Sequence, residues 1–578
     1  MRIKMMVAGL LSMTFAVHVN AESERKISIE EYRDKMEAGW VGQIAGVSWG
    51  ARTEFRYNGV IIPIDSATGL PEKMGEWSPG RINNAFAQDD LYVEMAFLQT
   101  LEKYGLNVTR KQAGIDFAVT RYRLFCGNDL GRKNLRNSIG PPDSGHPQFH
   151  SQPHAIDYQI ESDYAGLIAP RMPQIGVDMG EVFGRIMNYG DGVYAGQFVA
   201  AMYSEAFFET DMRKVVEKGL EAIPAESQYA EVVRDVLDWH KSGMDWQECW
   251  KKVKDKYIGI EKWKRKENPE LKTPYLEKYQ GALDVRVNGA YIVIGLLYGE
   301  GDLDKTIIIS TRCGNDSDCN PSNAAGILFT SLGMKKIPER FKSALQLNTN
   351  FSYTDYNMPK LVDVCTELAK QAVQKQGGKV VNEKGKDTYF LIPQKPVVQS
   401  EFVSAGKPGP IANSRFSEAE MEQINTILES QKNEVMEKAQ KDLDKFAPGW
   451  KVVNSDTDML PGLKWGNSYF VKPKSKDEPC VFSRTVKVPA GKKTTLSLNV
   501  GNQGGDGWDL IVRADMADLL NKTVATKTAN ERGAWGWMDI SVDLSDYAGK
   551  TIDLELYIIK GKWNKADARF KKIEIISE

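Results

Sequence analysis

Cys313-Gly-Asn-Asp316-Ser-Asp318-Cys319-Asn320-Pro321-Ser-Asn-Ala-Ala-Gly-Ile327 is the stretch on which the reading of this chain turns. Asn320 is a good helix cap and Pro321 a good first helical residue, so the pattern predicts a loop entering a small-residue helix that stops at Gly333. Asp316 and Asp318 then sit in the loop, two residues apart, able to aim their oxygens at one point. Two further segments share this character. Gln88-Asp89-Asp90 opens a segment whose Leu91, Met95, Leu98 and Leu101 fall on one helical face, ended by Gly105. An isolated Asp-Asp pair there is first read as ordinary first-turn acidity favoured by the helix dipole. Gly39, Gly42, Gly46 and Gly50 recur three or four residues apart in a segment that runs on to Glu54, and by themselves signal close helix packing. Should the four aspartates converge, they need a hard cation, and oxygen-only ligation suits magnesium, calcium or manganese rather than zinc.

Around these motifs, residues 29–375 show mostly helical periodicity, including an apolar segment at 289–299 expected near the centre of a bundle. The character changes after Lys375. A short strand-like linker at 379–403 leads to Gly406-Lys-Pro-Gly-Pro410 and then to an amphipathic helix over 417–446, with Ser417 and Glu420 as a capping box. From Trp450 onward, alternating runs at 494–500, 508–512, 538–544 and 551–558 predict a β-sandwich of jelly-roll-like type. The expected organisation is therefore a signal peptide at 1–21, a helical domain at 22–375, a linker with short strands and a helix at 376–449, and a sandwich at 450–578.

The aspartate motifs and the glycine-spaced helix, in this order on a helical background, resemble the ADP-ribosylglycohydrolase family. The resemblance spans about 350 residues and implies an all-helical, magnesium-dependent hydrolase of ADP-ribosyl bonds. It implies that Asp89, Asp90, Asp316 and Asp318 hold one or two magnesium ions, with manganese or calcium as other candidates. It also makes Glu54 the mobile glutamate that orients or deprotonates the attacking water, with Asp90 sharing in catalysis. Met187-Asn188-Tyr-Gly190-Asp191-Gly192 looks like the family's Asn-Gly motif, which implies a substrate-lining role for Asn188, Gly190, Asp191 and Gly192. Two positions depart from the pattern. Gln88 stands where the family has a hydroxyl ligand, although its carbonyl can still ligate, and Cys319 stands where the family ends its motif in threonine. A thiol is a poor partner for magnesium, so one metal is lost or the preferred ion is changed.

Other features leave choices open. Asp157, Glu161 and Asp163 follow a Gly- and Pro-rich loop, with Asp157 and Glu161 expected on one helical face and Asp163 nearer its side. Solvated or capping charge on the one hand and substrate contact on the other are equal readings of these three. His146, His150 and His154 lie four apart, but Pro147 and Pro153 break the helix that a zinc reading requires. They are expected on a surface or substrate-facing loop. Cys313 and Cys319 are read as buried thiols in preference to a disulfide. Six of the 13 tryptophans fall after residue 449, where core packing is the commoner use and sugar stacking the functional one.

Composition bounds the partners. With 75 basic and 77 acidic residues the chain has no electrostatic footprint for nucleic acid. Arg2 and Lys4 precede an apolar run ending in Val19-Asn-Ala21, a signal-peptide pattern that predicts export to the periplasm or the extracellular medium. No later stretch reaches the ~18 to 20 apolar residues needed to span a bilayer. Export and a sandwich appendage shift the expected substrate from ADP-ribosyl compounds or proteins toward a glycan or glycoside, cleaved at an N- or O-glycosidic bond. The reading from a different class is a catalytically silent, cation-stabilised binding protein, favoured by Gln88 and Cys319.

Overall fold

A computed structural model describes residues 24–64, 78–258, 282–464, 467–475, 477–502, 507–525, 536–560 and 567–578. The expected signal peptide lies outside them. Two compact units are present, one of the described residues through Gly114 with Cys126–Leu135 and Ile139–Ser414, the other of Ile115–Phe125, Arg136–Ser138 and Arg415–Glu578. Among the described residues no helix is long and apolar enough to cross a membrane.

The first unit is helical. The helices that build its centre are α1 (Ile29–Gly50), α2 (Asp89–Tyr104), α3 (Cys126–Arg136), α4 (Asp157–Ile160), α5 (Asp163–Leu167), α6 (Asp191–Ala206), α7 (Val285–Gly299) and α8 (Cys319–Leu332). Helix α1 begins where the Ser28 hydroxyl accepts the Glu31 amide at 3.0 Å, and it is buried continuously from Ala38 to Gly50. That burial has a steric cause. A β-carbon at Gly42 would come within 2.5 Å of the Ala325 carbonyl oxygen, and one at Gly39, Gly46 or Gly50 would likewise strike Thr330, Pro321 or Ser317. The glycine stripe thus lets the backbones of α1 and α8 touch along their length. Helix α7, apolar from Gly289 onward, is buried from Val285 through Leu297, as that stretch requires.

Three antiparallel strands complete this unit: β1 (Glu24–Ser28), β2 (Lys379–Glu383) and β3 (Lys386–Pro393), in the order β1-β3-β2. Ile27 pairs with Phe390, and both side chains are buried. Beyond β3 the chain runs extended along the same unit. Tyr194 accepts the Val403 amide at 2.7 Å, and Asp143 accepts those of Ala412 and Ser414 at 2.8 and 2.9 Å.

The second unit contains α9 (Glu418–Phe446), opened by the expected Ser417–Glu420 capping box. Its strands are β4 (Lys451–Val453), β5 (Gly462–Lys464), β6 (Ser468–Val471), β7 (Cys480–Lys487), β8 (Thr494–Asn502), β9 (Trp508–Ala514), β10 (Ala517–Val524), β11 (Gly536–Asp543), β12 (Thr551–Lys560) and β13 (Ala568–Ser577). They form two five-stranded antiparallel sheets, β10-β9-β12-β7-β4 and β11-β8-β13-β6-β5. Set aside β4 and β5 at the edges, and the remaining eight strands cross from sheet to sheet in the order of a jelly roll, except for the β9–β10 hairpin, which stays within one sheet. Inward residues such as Leu496, Leu498 and Val500 of one sheet meet Leu510, Val512 and Leu554 of the other, and Ala439 and Leu443 of α9 join that core. Trp450 and Trp508 are core residues, the Trp508 indole donating to the Gly501 carbonyl at 3.2 Å. Trp537 is half-buried, and Trp465, Trp535 and Trp563 lie outside the described residues.

Candidate metal centre and active site

The loop before α8 is held by the segment after α1. The Phe55 amide donates to the Asn315 carbonyl at 3.0 Å, and the Asn315 amide donates back to the Tyr57 carbonyl at 3.0 Å. The Asn315 side chain accepts the Gly59 amide at 2.9 Å, and the Thr53 and Ser317 hydroxyls meet at 2.8 Å. Phe55 and Asn315 both take positive φ, of 51° and 57°, a conformation that these contacts stabilise. Two segments more than 250 residues apart are thereby locked together. The result is that carboxylate oxygens of Glu54, Asp316 and Asp318 all lie within 4.8 Å of one another.

Helix α8 starts two residues earlier than expected. Asp318 is its N-cap and Cys319 its first residue, so Asn320 is not the cap. The Asn320 side-chain Nδ2 instead donates to Asn288 Oδ1 at 2.9 Å. Pro321 still falls within the first turn, where a missing N–H leaves no hydrogen bond unmade. This shift brings Cys319 into the cluster: Asp90, Asp318 and Cys319 form a second group with ligand atoms within 4.8 Å, and Asp318 belongs to both. Gln88 is the N-cap of α2, without a side-chain cap hydrogen bond, and Asp89 its first residue. Both are half-buried and lie outside these two groups.

Asp90, Asp316 and Asp318 are at most 2 % exposed. Burial, followed by the charge of Asp89, pushes the Asp90 carboxyl well above the usual range, and burial with Asp318 does the same to Asp316. Asp318 is pushed up to about 7 by burial and by Asp90. The buried oxygens Asp90 Oδ1 and Asp316 Oδ1 have no hydrogen-bond partner. Buried carboxylates with orphaned oxygens and mutual repulsion are the donor set that a divalent cation satisfies, so the residues present fit one.

A second group of acids lies behind the first. Asp157 accepts the Gly127 and Asn128 amides at 3.0 and 2.8 Å, capping α3, and burial pushes it up to about 7. Glu161 accepts from the Asn128 side chain, while its Oε2 has no partner. Asp163 accepts from Asn323 at 2.8 and 3.1 Å. The single helix expected through Asp157 and Glu161 is not formed, since α4 ends at Ile160 with Glu161 as its C-cap and α5 begins at Asp163, but the two carboxylates do come together, both on Asn128. Nor are these solvated charges, since all three are buried. Glu94, which the sequence reading passed over, joins them by accepting the Tyr164 amide at 2.5 Å, with its Oε1 left unpartnered. It was visible as a lone charge in the apolar stripe of α2, one turn beyond Asp90. After burial, the influences that raise Asp90, Glu94, Glu161, Asp316 and Asp318 are other carboxylates.

The Asn188–Gly192 segment has a different fate. Asn188 Oδ1 accepts the Tyr158 amide at 3.0 Å, and its Nδ2 donates to the carbonyls of Pro153 and Ala155 at 3.1 and 2.9 Å. Asp191 accepts the Tyr229 amide at 3.1 Å. Gly190, at φ +57°, lies beneath the Val403 carbonyl, and Gly192 abuts that of Pro153. In this structure the Asn188 and Asp191 side chains hold backbone, and Gly190 lies against the main chain of residues 403–405. The histidines are interior as well, so of the surface and substrate-facing loops expected for them the surface one does not hold. His146 and His150 each accept a backbone amide on Nδ1, and their Nε2 atoms donate to the carbonyls of Gly409 and Gly127 at 3.0 and 2.9 Å. Both rings are therefore used as the neutral tautomer. Burial lowers His150 to about 4. His154 is buried too. Cys313 and Cys319 are free, buried thiols.

A family model described as ADP-ribosylglycohydrolase matches residues 28–379. No curated protein matches the chain. Among solved structures, one titled "ADP-ribosylglycohydrolase-related protein complex" aligns over 59% of this chain and 99% of its own, at 13% identity and a TM-score of 0.39.

Proposed function

Since the chain belongs to the ADP-ribosylglycohydrolase family, we propose that it hydrolyses an N- or O-glycosidic bond of a glycan or glycoside with the help of a divalent cation, magnesium first and manganese or calcium next. The observation that carries this is the pair of acidic groups that meet at Asp318. Asp90, Asp316 and Asp318 would hold the cation, with Asp89 and Gln88 beside them. When bound, such an ion supplies Lewis acidity toward substrate hydroxyls and a more acidic water.

Glu54 is the most accessible carboxylate of its group, and its role is to take the proton from the attacking water. The backbone bonds between residues 55–59 and Asn315 keep that carboxylate in register with Asp316. Asp90, buried at the start of α2, orients the reacting region through its free oxygen. On this reading the leaving group departs from an oxocarbenium-like centre, stabilised by the surrounding negative charge. Glu161 Oε2, buried and unpartnered, is an acceptor for a sugar hydroxyl, with Asp157 and Asp163 fixing the turn that carries it.

Charge favours a neutral sugar over a phosphorylated one. The neighbours acting on these acids are themselves acids, so hydroxyl donors are welcomed and a diphosphate is repelled unless cations offset it. Family membership favours the second reading, an ADP-ribosyl compound or protein as substrate. The signal-peptide pattern supports work in the periplasm or outside the cell, away from the nucleotide pool. Screening the purified protein against neutral aryl glycosides and ADP-ribosyl compounds, with divalent ions and with chelator, decides between them. Cation-dependent turnover of a neutral glycoside is expected. Turnover confined to ADP-ribosyl compounds selects the second reading, and no turnover with any ion leaves a cation-stabilised binding protein.

A further inference from the structure

The two acidic groups that share Asp318 differ in chemistry. Glu54, Asp316 and Asp318 offer oxygen alone, whereas Asp90, Asp318 and Cys319 offer two carboxylates and a sulfur. We infer that the position at Cys319 is built for a borderline, sulfur-accepting divalent ion of the zinc or cobalt kind, while the Glu54 side keeps a preference for a hard ion. The inference rests on the proposed cation site and adds that one chain carries two unlike positions joined through Asp318.

The geometry supports the sulfur as a ligand. Cys319 Sγ lies 3.3 Å from Asp90 Oδ2 and 3.8 Å from Asp318 Oδ1. A tetrahedral ion with metal–sulfur and metal–oxygen bonds of about 2.3 and 2.0 Å separates its sulfur and oxygen ligands by about 3.5 Å. The two observed separations bracket that value. Independently, Asp90 Oδ1 is buried with no hydrogen-bond partner, a cost that an ion beside the carboxylate removes.

Without the ion, the Cys319 thiol donates to Asp90 Oδ2. On binding, the Sγ–H proton leaves to solvent and the sulfur lone pair goes to the metal, so charge and atoms balance. Soft sulfur gains little from magnesium and much from zinc or cobalt.

The test is cobalt titration of the resting, full-length protein, read as the near-ultraviolet thiolate-to-cobalt charge-transfer band, for the wild type, Cys319→Thr and Cys319→Ser. The wild type is expected to develop the band to a stoichiometric plateau that excess magnesium does not erase. Both variants should lose it and bind cobalt more weakly, by at least the roughly tenfold that even an outer-shell partner contributes. Absence of the band in the wild type, its persistence in either folded variant, or its removal by equimolar magnesium overturns the inference. The band is read without substrate, so failure of the glycosidase proposal is separately visible. A band without turnover sinks that proposal alone, and magnesium-driven turnover without a band sinks this inference alone.

Discussion

Replacing Gly42 by alanine tests the link between the helix stripe and the site. In an exposed helix this change stabilises by about 0.5–1 kcal/mol, because glycine loses more backbone freedom on folding. At Gly42 the added β-carbon would lie 2.5 Å from the Ala325 carbonyl oxygen and 2.7 Å from both Ala325 C and Gly326 Cα. These are main-chain atoms of α8 and cannot rotate aside. Ordinary contact begins near ~3.5 Å, so the helices must part by about 1 Å. Overpacking of this kind costs about 1–3 kcal/mol, which outweighs the propensity gain and leaves a net loss of roughly 1–2 kcal/mol. The site pays as well: α1 leads to Glu54 and α8 follows Asp316 and Asp318, while cation ligands tolerate only about 0.2 Å of displacement. Calorimetric melting with and without manganese should therefore show a lower melting temperature for Gly42→Ala and a smaller manganese-induced rise. Gly80→Ala, where a β-carbon meets nothing within 4 Å, is the control and should be neutral or stabilising. A Gly42→Ala protein that melts at or above the wild type refutes the packing argument.

Stability of the chelated protein should depend on pH through Asp157. Its folded value of about 7 exceeds the ~3.9 of an unfolded aspartate, so the folded chain holds a proton that the unfolded chain releases. The contribution is complete below about pH 4 and is lost as pH rises through about 7, amounting to ~4 kcal/mol across that span. Denaturant titrations of wild type and Asp157→Asn between pH 4.5 and 8 should show the variant lacking this slope, and parallel curves count against it. Asp143→Ala strips the Ala412 and Ser414 amides of their acceptor. It should cost ~1–3 kcal/mol and speed limited proteolysis near residues 405–412, whereas an unchanged digestion pattern contradicts the anchoring. Ser417→Ala removes one half of the capping box on α9 and should lower stability by ~1 kcal/mol by chemical denaturation, with no change as the contrary result.

What was legible in the sequence was what short-range chemistry determines. Alternation along the last 130 or so residues announced the sandwich, because each strand has to bury one face. The glycine spacing before Glu54 and the aspartates at 316 and 318 announced two partners, since neither motif makes sense without a close neighbour. What stayed hidden depends on distant chain. Nothing local marks Asn188 as a clamp for Tyr158 and Pro153, or Gly190 as lying under Val403 more than 200 residues later, so the motif read as open to substrate. Helix periodicity carried Asp157 and Glu161 through one continuous helix because no glycine or proline separates them; α4 in fact ends at Ile160, and what brings the two carboxylates together is Asn128, which one meets at its main chain and the other at its side chain. Glu94 is the reverse case, a visible breach of an apolar stripe whose meaning requires Tyr164 and Asp163 to arrive from elsewhere. The two-residue advance of α8 had the largest consequence, because it turned Cys319 from a helix flank into a side chain facing Asp90.

The most direct test is turnover of a responsive glycoside by the chelated protein, before and after a divalent cation is restored, for the wild type and for Asp316→Ala, with ion binding measured calorimetrically on the same samples. The expected result is no turnover when chelated, recovery on adding the ion to the wild type, and neither full ion binding nor recovery in Asp316→Ala at unchanged secondary structure. Full activity in chelator, or wild-type turnover by Asp316→Ala, would contradict a cation held at Asp90, Asp316 and Asp318 as the centre of the reaction.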